Sequence, residues 1–255
     1  MNVQQFYAFL EEQIPSTLSC DWDNDGLMCC ADPEAEVAKV LVALDITAEV
    51  VHTAVEGTYD LILSHHPLIF KPLHALQPGD PIAKKVITLL CAGITAMSFH
   101  TRLDAVEGGV NDDLAARLQL SNVTPFGENG ETIGRIGTLP APLGLEDFAR
   151  QVKVATGADC VQFSDAGRPA LRVALLGGSG SSDVNAAARA GADTYVTGEL
   201  KHSQLTEAPE RGMNLIAAGH FHTENGICER LRDLVSRAIP EATVTVINSN
   251  PIKCI

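Results

Sequence analysis

The sequence predicts an α/β fold made of two interlinked α/β domains, and three observations lead to this class. Apolar runs typical of buried strands alternate with segments typical of helices over most of the 255 residues, which favours layers of helices on a largely parallel sheet. The predicted strands end abruptly in glycine or polar residues. The order of strands and motifs in the first half returns in the second half, which indicates pseudo-repeated βαβ units.

The first half is predicted to hold three strands separated by helices. The N-terminal segment MNVQQFYAFLEEQIPSTL has apolar residues near helical spacing and is typical of an amphipathic helix. Thr47 is suited to be the N-cap of the helix after the first strand. The predicted strands are residues 39–45, 59–64 and 95–99, and the predicted helices between them are residues 47–56 and 81–92.

The second half is predicted to repeat this plan. A strand at residues 132–139 and a helix at residues 146–156 are predicted between the two copies. Residues 125–130 combine proline, glycine and asparagine, so we expect the hinge there. The second copy is predicted to have strands at residues 171–176, 193–197 and 214–218, with helices at residues 183–190 and 203–211.

The two halves resemble each other most clearly where their third strands end. The segment ITAMSFHTRLD corresponds to NLIAAGHFHTE, and each contains a histidine followed four residues later by a carboxylate. These pairs are His100 with Asp104 and His220 with Glu224. The repeat therefore predicts one imidazole and one carboxylate at each of two corresponding strand ends.

Composition narrows the classes of function and location. The formal net charge of −14 argues against broad electrostatic binding to nucleic acid, although a local basic patch stays open. No apolar run approaches the ~20 residues of a membrane helix, and the N-terminus lacks a signal-peptide pattern. The seven cysteines form no CxxC pair, which indicates reduced thiols. We therefore expect a cytoplasmic protein that does not act at a membrane.

Ligand-capable residues gather at the predicted strand ends, where open α/β sheets bind their ligands. The stretch LILSHHPLIF places His65 and His66 directly after a strand. Two adjacent histidines alone are more often a turn than a ligand pair, but here every histidine-rich point falls at a strand end. The GGSG stretch at residues 177–180 is consistent with a phosphate-binding loop or a plain glycine turn; the absent Walker lysine favours the turn.

This mixture of side chains suits divalent transition metals. Neutral imidazole and carboxylate together favour ions such as Zn, Mn, Fe or Co over Ca or Mg. Several histidines and two carboxylates exceed the needs of one tetrahedral ion. Bridging carboxylates would allow two ions roughly 3.5–4 Å apart, the spacing that two-metal hydrolases use.

Six motifs resemble those of a known family: DWDNDGL, VALDIT, LILSHHPLIF, SFHTRLD, YVTGELKH and GHFHTE, in this order from about Trp22 to Pro251. They are similar to the GTP cyclohydrolase type 2 homologs, also called Nif-three-like or dinuclear metal center proteins. The resemblance implies a two-domain subunit assembled into a toroidal homohexamer, with two divalent transition-metal ions per subunit facing an internal cavity. Histidine and carboxylate ligands do not distinguish Fe, Mn, Zn or Ni.

The resemblance also implies roles for individual residues of this sequence. His100 would lie beside the metals as an acid or base for the substrate. Asp104 or Glu224 would bridge the ions. The implied metal ligands are His65, His66, Asp104, His220 and Glu224.

Four further residues are expected to line the cavity. Asp45, Asn24 and His202 fall within family motifs. Arg102 stands where relatives often have asparagine, so we expect a cation beside the site and an altered preference for substrate charge.

These arguments together predict a division of the chain near residue 125. Residues 1–125 would form an N-terminal domain that carries the HHP and HTRLD motifs. Residues 126–255 would form a second domain, of which residues 214–255 return metal ligands to the shared site.

Two functions follow from this site. The first is a hydrolase in which metal-bound hydroxide attacks a small-molecule substrate, as the resemblance to GTP cyclohydrolase implies. The second is a non-enzymatic metal-binding ring that holds a protein or nucleic-acid partner. The acidic net charge makes nucleic acid the weaker choice of partner.

Overall fold

The computed structural model describes residues 1–128 and 132–253, which form two compact α/β units. Unit 1 consists of Met1–Val106 and Ile227–Ser249, and unit 2 consists of Glu107–Gly226 with the C-terminal residues from Asn250. The sequence placed the division near residue 125, later than the first of these boundaries. The structure also assigns a helix and a strand near the C-terminus to unit 1, whereas the sequence placed them in the second domain.

Unit 1 is built on a five-stranded sheet. Its helices are α1 (Val3–Gln13), α2 (Ala48–Glu56), α3 (Pro81–Cys91), α4 (Thr101–Ala105) and, after unit 2 in the chain, α10 (Ile227–Ala238). Its strands are β1 (Gly26–Cys29), β2 (Lys39–Ala43), β3 (Leu61–Ser64), β4 (Thr95–Ser98) and β11 (Thr243–Ile247). The strand order is β1-β4-β3-β2-β11, in which only β1 is antiparallel to its neighbour.

Local chemistry explains where the helices of unit 1 begin. The Thr47 hydroxyl accepts a hydrogen bond from the backbone N–H of Val50, which confirms the predicted cap of α2. At the start of α3 the Asp80 carboxylate accepts hydrogen bonds from two backbone N–H groups, and Pro81 occupies the first helical position. Between helices and sheet lies an apolar core that includes Leu41 and Ile62.

Unit 2 is built on a six-stranded mixed sheet. Its helices are α5 (Val110–Arg117), α6 (Leu145–Thr156), α7 (Val184–Arg189), α8 (His202–Arg211) and α9 (His220–Glu224). Its strands are β5 (Ser121–Phe126), β6 (Gly134–Leu143), β7 (Gln162–Ser164), β8 (Ala170–Leu176), β9 (Thr194–Thr197) and β10 (Asn214–Ala217). In the order β5-β6-β8-β9-β10-β7, only β8, β9 and β10 run parallel to one another.

The predicted repeat is visible as two similar successions of elements. In unit 1 the succession is β2-α2-β3-α3-β4-α4, and in unit 2 it is β8-α7-β9-α8-β10-α9. In each, the three strands are adjacent, parallel and in chain order across the sheet. The largely parallel sheet that the sequence predicts therefore describes unit 1, whereas in unit 2 antiparallel strands flank the parallel core on both sides.

The predicted hinge at residues 125–130 does not coincide with a boundary between units. Pro125 lies inside β5, an edge strand of unit 2. Edge strands tolerate proline because one side of the strand makes no ladder hydrogen bonds. Residues 129 and 130 lie outside the described residues.

Candidate metal centre

Unit 1 brings three histidines together at one edge of its sheet. Strands β3 and β4 are parallel neighbours, and their last residues, Ser64 and Ser98, are partners in the register. The chain therefore delivers His65, His66 and His100 just beyond the same edge. Their candidate ligand atoms all lie within 4.8 Å of one another, so this histidine cluster could hold a metal ion.

Each imidazole of the histidine cluster has its Nδ1 atom within hydrogen-bonding distance of an oxygen. These distances are 2.9 Å from His65 to the carbonyl of Phe99 and 2.8 Å from His66 to Asp45. For His100 the partner is Asp23, at 2.8 Å. A carbonyl or a carboxylate only accepts, so Nδ1 must carry the proton.

This pattern identifies the ring nitrogen that each histidine could offer to a metal ion. With the proton on Nδ1, the lone pair of the neutral ring lies on Nε2. Metal-binding histidines in proteins usually donate from their other nitrogen to a carboxylate or a backbone carbonyl, which orients the ring and raises its basicity. The hydrogen bonds of the cluster are therefore compatible with metal binding.

Asp104 adds a carboxylate to the histidine cluster. Its Oδ1 atom lies 3.8 Å from Nε2 of His65, and both side chains are largely buried. That separation is too long for a hydrogen bond. It is within the span of two ligands of one ion, since zinc-type ions bind nitrogen and carboxylate oxygen at roughly 2.0–2.2 Å each.

Unit 2 presents a second group of candidate ligands, the His220–Glu224 pair. Strands β9 and β10 are parallel and end together, with Thr197 opposite Ala217. His220 opens α9, and its Nε2 lies 3.1 Å from a carboxylate oxygen of Glu224 one turn later. Its Nδ1 lies 2.9 Å from Glu199, which follows β9. Glu199 stands in the YVTGELKH motif, at one of the strand ends where the sequence predicts ligand-capable residues.

The glycine stretch after β8 packs against the His220–Glu224 pair. A Cβ atom at Gly178 would overlap Glu224 and come within 2.9 Å of Nε2 of His220. Gly178 also has a φ of +63°, which favours glycine. The missing side chain at Gly178 therefore lets the backbone of this turn approach both candidate ligands.

Asp23 is a buried member of the site in unit 1 that sequence reasoning passed over. Its carboxylate also accepts hydrogen bonds from the backbone N–H and the hydroxyl of Thr101. Burial alone would raise the pKa of Asp23, but the hydrogen bonds from His100 and Thr101 outweigh it and hold the pKa at about 2. Asp23 is therefore a carboxylate at neutral pH and fixes the His100 ring.

Arg102 has a different setting from the one that the sequence suggested. Its side chain is 1% exposed, and its guanidinium donates to Glu11, to Asp25 and to the carbonyl of Ile14. Burial lowers the pKa of Arg102, but the neighbouring carboxylates raise it by more, so the pKa lies above its usual value. The cation is therefore neutralised inside unit 1, and it does not line a cavity as an open charge.

The remaining predicted cavity residues are placed as follows. Asp45 is about half-exposed beside His66 in unit 1. Asn24 is exposed, and its amide donates to the carbonyl of Ile69. His202 is an exposed residue at the start of α8 in unit 2.

Two of the cysteines are poorly suited to act as nucleophiles. Burial raises the pKa of Cys29 to about 11 and that of Cys228 to about 12, so both are neutral thiols near pH 7. The predicted free thiol at Cys254 lies outside the described residues. Across residues 1–128 and 132–253, every helix is too short or too polar to cross a membrane.

Comparison with known proteins places this geometry in a family. A family model described as Duf34/NIF3 (NGG1p interacting factor 3) matches residues 1–253. A GTP cyclohydrolase 1 type 2 homolog from a Nostoc species is 38% identical over 201 residues, which are 77% of this chain and 76% of the relative. NGG1-interacting factor 3 of Saccharomyces cerevisiae is 30% identical over 257 residues, covering 91% and 89% of the two chains.

A solved structure shares the fold over the whole chain. A hypothetical protein of Staphylococcus aureus superposes with a TM-score of 0.87 at 28% identity. The match covers 100% of this chain and 99% of that one.

Proposed function

Because this chain belongs to the Duf34/NIF3 family, we propose that it binds two divalent transition-metal ions and uses them as a hydrolase. The observation that carries the proposal is the protonation pattern of the imidazoles. His65 and His66 each direct Nδ1 at an oxygen acceptor, which leaves Nε2 as the ligand atom. His220 directs Nδ1 at Glu199, and its Nε2 lies 3.1 Å from the Glu224 carboxylate, a separation that two ligands of one ion span.

The proposed ligands come from both units. His65, His66 and Asp104 are the contribution of unit 1, and the His220–Glu224 pair is the contribution of unit 2. We propose that the two groups serve the same two ions, with Asp104 or Glu224 as the bridge. The resemblance of the motifs to dinuclear metal center proteins supports this assignment.

The chain's own residues have distinct tasks in this proposal. Asp45 and Glu199 hold the His66 and His220 rings in the ligand orientation. A divalent ion bound there supplies Lewis-acid chemistry and lowers the pKa of water. His100, held by Asp23, is placed to exchange a proton with the substrate through Nε2.

His100 also has a competing role that the structure brings forward. It belongs to the same three-histidine group as His65 and His66, so it could be a third ligand from unit 1. The His100→Ala variant separates the roles. A proton-transfer residue predicts normal metal content with lost turnover, whereas a ligand predicts that both are lost.

The expected assembly and location stay proposals that rest on the resemblance. We propose a toroidal homohexamer in the cytoplasm. Light scattering coupled to size-exclusion chromatography would give six times the 27.1 kDa chain mass for this assembly. A stable monomer or dimer would contradict it.

The first experiment measures metal content by mass spectrometry on protein prepared without a histidine tag. We expect about two ions per chain in the wild type and a sharp loss in the double variant His65→Ala, Glu224→Ala. His52→Ala is the matched control, because His52 is an exposed histidine of α2 and should leave the metal content unchanged. Little metal in the wild type after loading and desalting would refute the dinuclear assignment.

The second experiment tests catalysis on the metal-loaded protein. Turnover of a phosphoester, nucleotide, cyclic amide or peptide that disappears in the double variant would support the hydrolase. A second candidate function is partner binding, which the name of the yeast relative favours. Bound metal without turnover across that panel would favour the second function.

A further inference from the structure

Two large aromatic side chains are left open to solvent beside the histidine cluster. Trp22 is 58% exposed and Phe70 is 46% exposed. Single exposed apolar residues are ordinary, but neighbouring ones that border a polar site often mark a binding surface. Trp22 is also the one tryptophan in the sequence.

The two rings and His100 form one contiguous group in unit 1. The ring centroids of Trp22 and Phe70 are 6.3 Å apart. His100 lies 6.3 Å from Trp22 and 6.0 Å from Phe70, and all three pairs meet edge to face. His100 in turn lies 5.4 Å and 5.7 Å from His65 and His66. The aromatic pair is therefore one ring away from the candidate metal ligands.

Hydrogen bonds hold both aromatic residues in place through their neighbours. Asp23, next to Trp22, is fixed by His100 and Thr101. The amide of Asn24 donates to the carbonyl of Ile69, the residue before Phe70. The two loops are thus tied together, and an aromatic surface held in this way loses little conformational entropy when a ligand binds.

The charges beside the aromatic pair argue against an anion as its ligand. Trp22 is followed by the buried carboxylate of Asp23 and preceded by the exposed Asp21, while the exposed Lys71 follows Phe70. Exposed charges of both signs do not make an anion site. Aromatic faces bind flat rings by stacking, at centroid distances of roughly 4.5–7 Å.

We propose that Trp22 and Phe70 form a stacking surface for a planar heteroaromatic ring of the substrate, which they hold next to the histidine cluster. This inference rests on the proposed hydrolase, and it names the substrate class and two residues that select it. Trp22 and Phe70 act by orienting the ring, and His100 lies where the bound ring meets the candidate ligands.

The single tryptophan makes the test direct, because all indole emission comes from the proposed surface. Guanosine is titrated into metal-loaded protein, with ribose as the matched probe that lacks the ring. We expect saturable quenching of the Trp22 emission by guanosine and no change with ribose. No saturable change with guanosine, or an equal change with ribose, would overturn the proposal.

Calorimetry on variants separates stacking from an indirect effect on emission. Phe70→Leu and Trp22→Leu should each weaken guanosine binding at least about fivefold, the lower range for loss of one stacking partner. Phe163→Leu is the matched control, since Phe163 is a 43% exposed phenylalanine of β7 in unit 2. Unchanged affinity in the Trp22 and Phe70 variants, or equal weakening in the control, would overturn the assignment.

Two further measurements keep this inference distinct from the proposed function. Metal content is recorded for the same samples and should be unchanged in the Trp22 and Phe70 variants. Normal metal content and turnover without ring binding would refute the stacking surface alone, whereas lost metal in the wild type would refute the hydrolase. Emission that responds to protein concentration and not to guanosine would show that a second copy covers the surface, which also overturns the proposal.

Discussion

The turns that follow β4 in unit 1 and β10 in unit 2 share a histidine and a carboxylate four residues apart, yet they use them differently. In unit 2, His220 faces Glu224 within the same turn, at 3.1 Å. In unit 1 it is His65, from the end of β3, that lies near Asp104, at 3.8 Å. His100 instead contacts the other rings of the histidine cluster and the neighbouring aromatic rings.

Side-chain length and the start of each helix account for this difference. His100 stands just before α4, whereas His220 is the first residue of α9. Glutamate is one methylene longer than aspartate, so Glu224 can reach back over its own turn. One repeated spacing thus places a histidine and a carboxylate in contact within one turn of unit 2, whereas in unit 1 the two residues contact different neighbours.

The largest loss of metal affinity is expected from a substitution at Gly178 in unit 2. Gly178→Ala adds a Cβ atom that overlaps Glu224 and strains a φ of +63°. Displacing Glu224 should greatly lower metal affinity, measured by competition with a chelator. Gly191→Ala is the control, because Gly191 has a φ of +84° but open space around its Cβ position. Equal metal affinity in the two variants would contradict the packing argument.

An intermediate effect is expected from the carboxylates that orient the rings in the two units. Asp45→Asn in unit 1 and Glu199→Gln in unit 2 each weaken the acceptor of a histidine that we propose as a metal ligand. Removing such a partner typically costs 10–100-fold in metal affinity. The two side chains are 44% and 56% exposed, so we expect similar losses and little change in stability. Metal titration and urea unfolding test both points.

A large loss of metal affinity in only one of these two variants would reveal a difference between the units. It would mean that the ions depend on one unit more than on the other. Asp60→Asn is unsuitable as a control because its carboxylate caps backbone N–H groups. Glu207→Gln, an exposed carboxylate of α8 paired with Arg211, is a suitable one.

The smallest effect on metal affinity is expected at Asp23, where a substitution should instead lower the stability of the folded protein. Its side chain is 0% exposed and accepts three hydrogen bonds from His100 and Thr101. Asp23→Asn leaves buried donors poorly matched, so the free energy of unfolding should fall by about 1–3 kcal/mol. Urea unfolding at neutral pH measures this change. A stability within error of the wild type would contradict it.

The Asp23 carboxylate also gives a pH signature in the stability of the protein. Its pKa is lowered from 3.8 to about 2 in the folded protein. A lowered folded pKa means that the charged form stabilises the fold above pH ~4 and that this contribution is lost as pH falls towards 2. The stability difference between wild type and Asp23→Asn should therefore shrink over that range.

The sequence was most informative where strands and their ends follow from short-range patterns. The three parallel strands of each copy, the cap at Thr47 and the polar turns after β3, β4 and β10 all lie close to their predicted positions. Each depends on a run of β-branched or apolar residues that stops at a polar or glycine residue. Such a signal is local, so it can be recognised without knowledge of the fold.

Some elements escaped prediction although a signal was present. Helix α10 has apolar residues at helical spacing, with Ile227, Leu231 and Leu234 buried on one face. Its return to unit 1 could not be deduced, because pairing of β11 with β2 depends on contacts between residues far apart in the chain. The same reason explains why the predicted second domain includes residues 227–249, which belong to unit 1.

By itself the sequence determined the α/β class, the repeat and the histidines at the strand ends, because each is written in local periodicity and spacing. Only the tertiary structure decided that Arg102 is neutralised inside unit 1, that Asp23 and Glu199 hold imidazole rings, and that Trp22 lies beside Phe70. These outcomes depend on which loop faces which strand end. The packing of the whole unit determines this arrangement, so it cannot be read from the spacing of residues in the sequence.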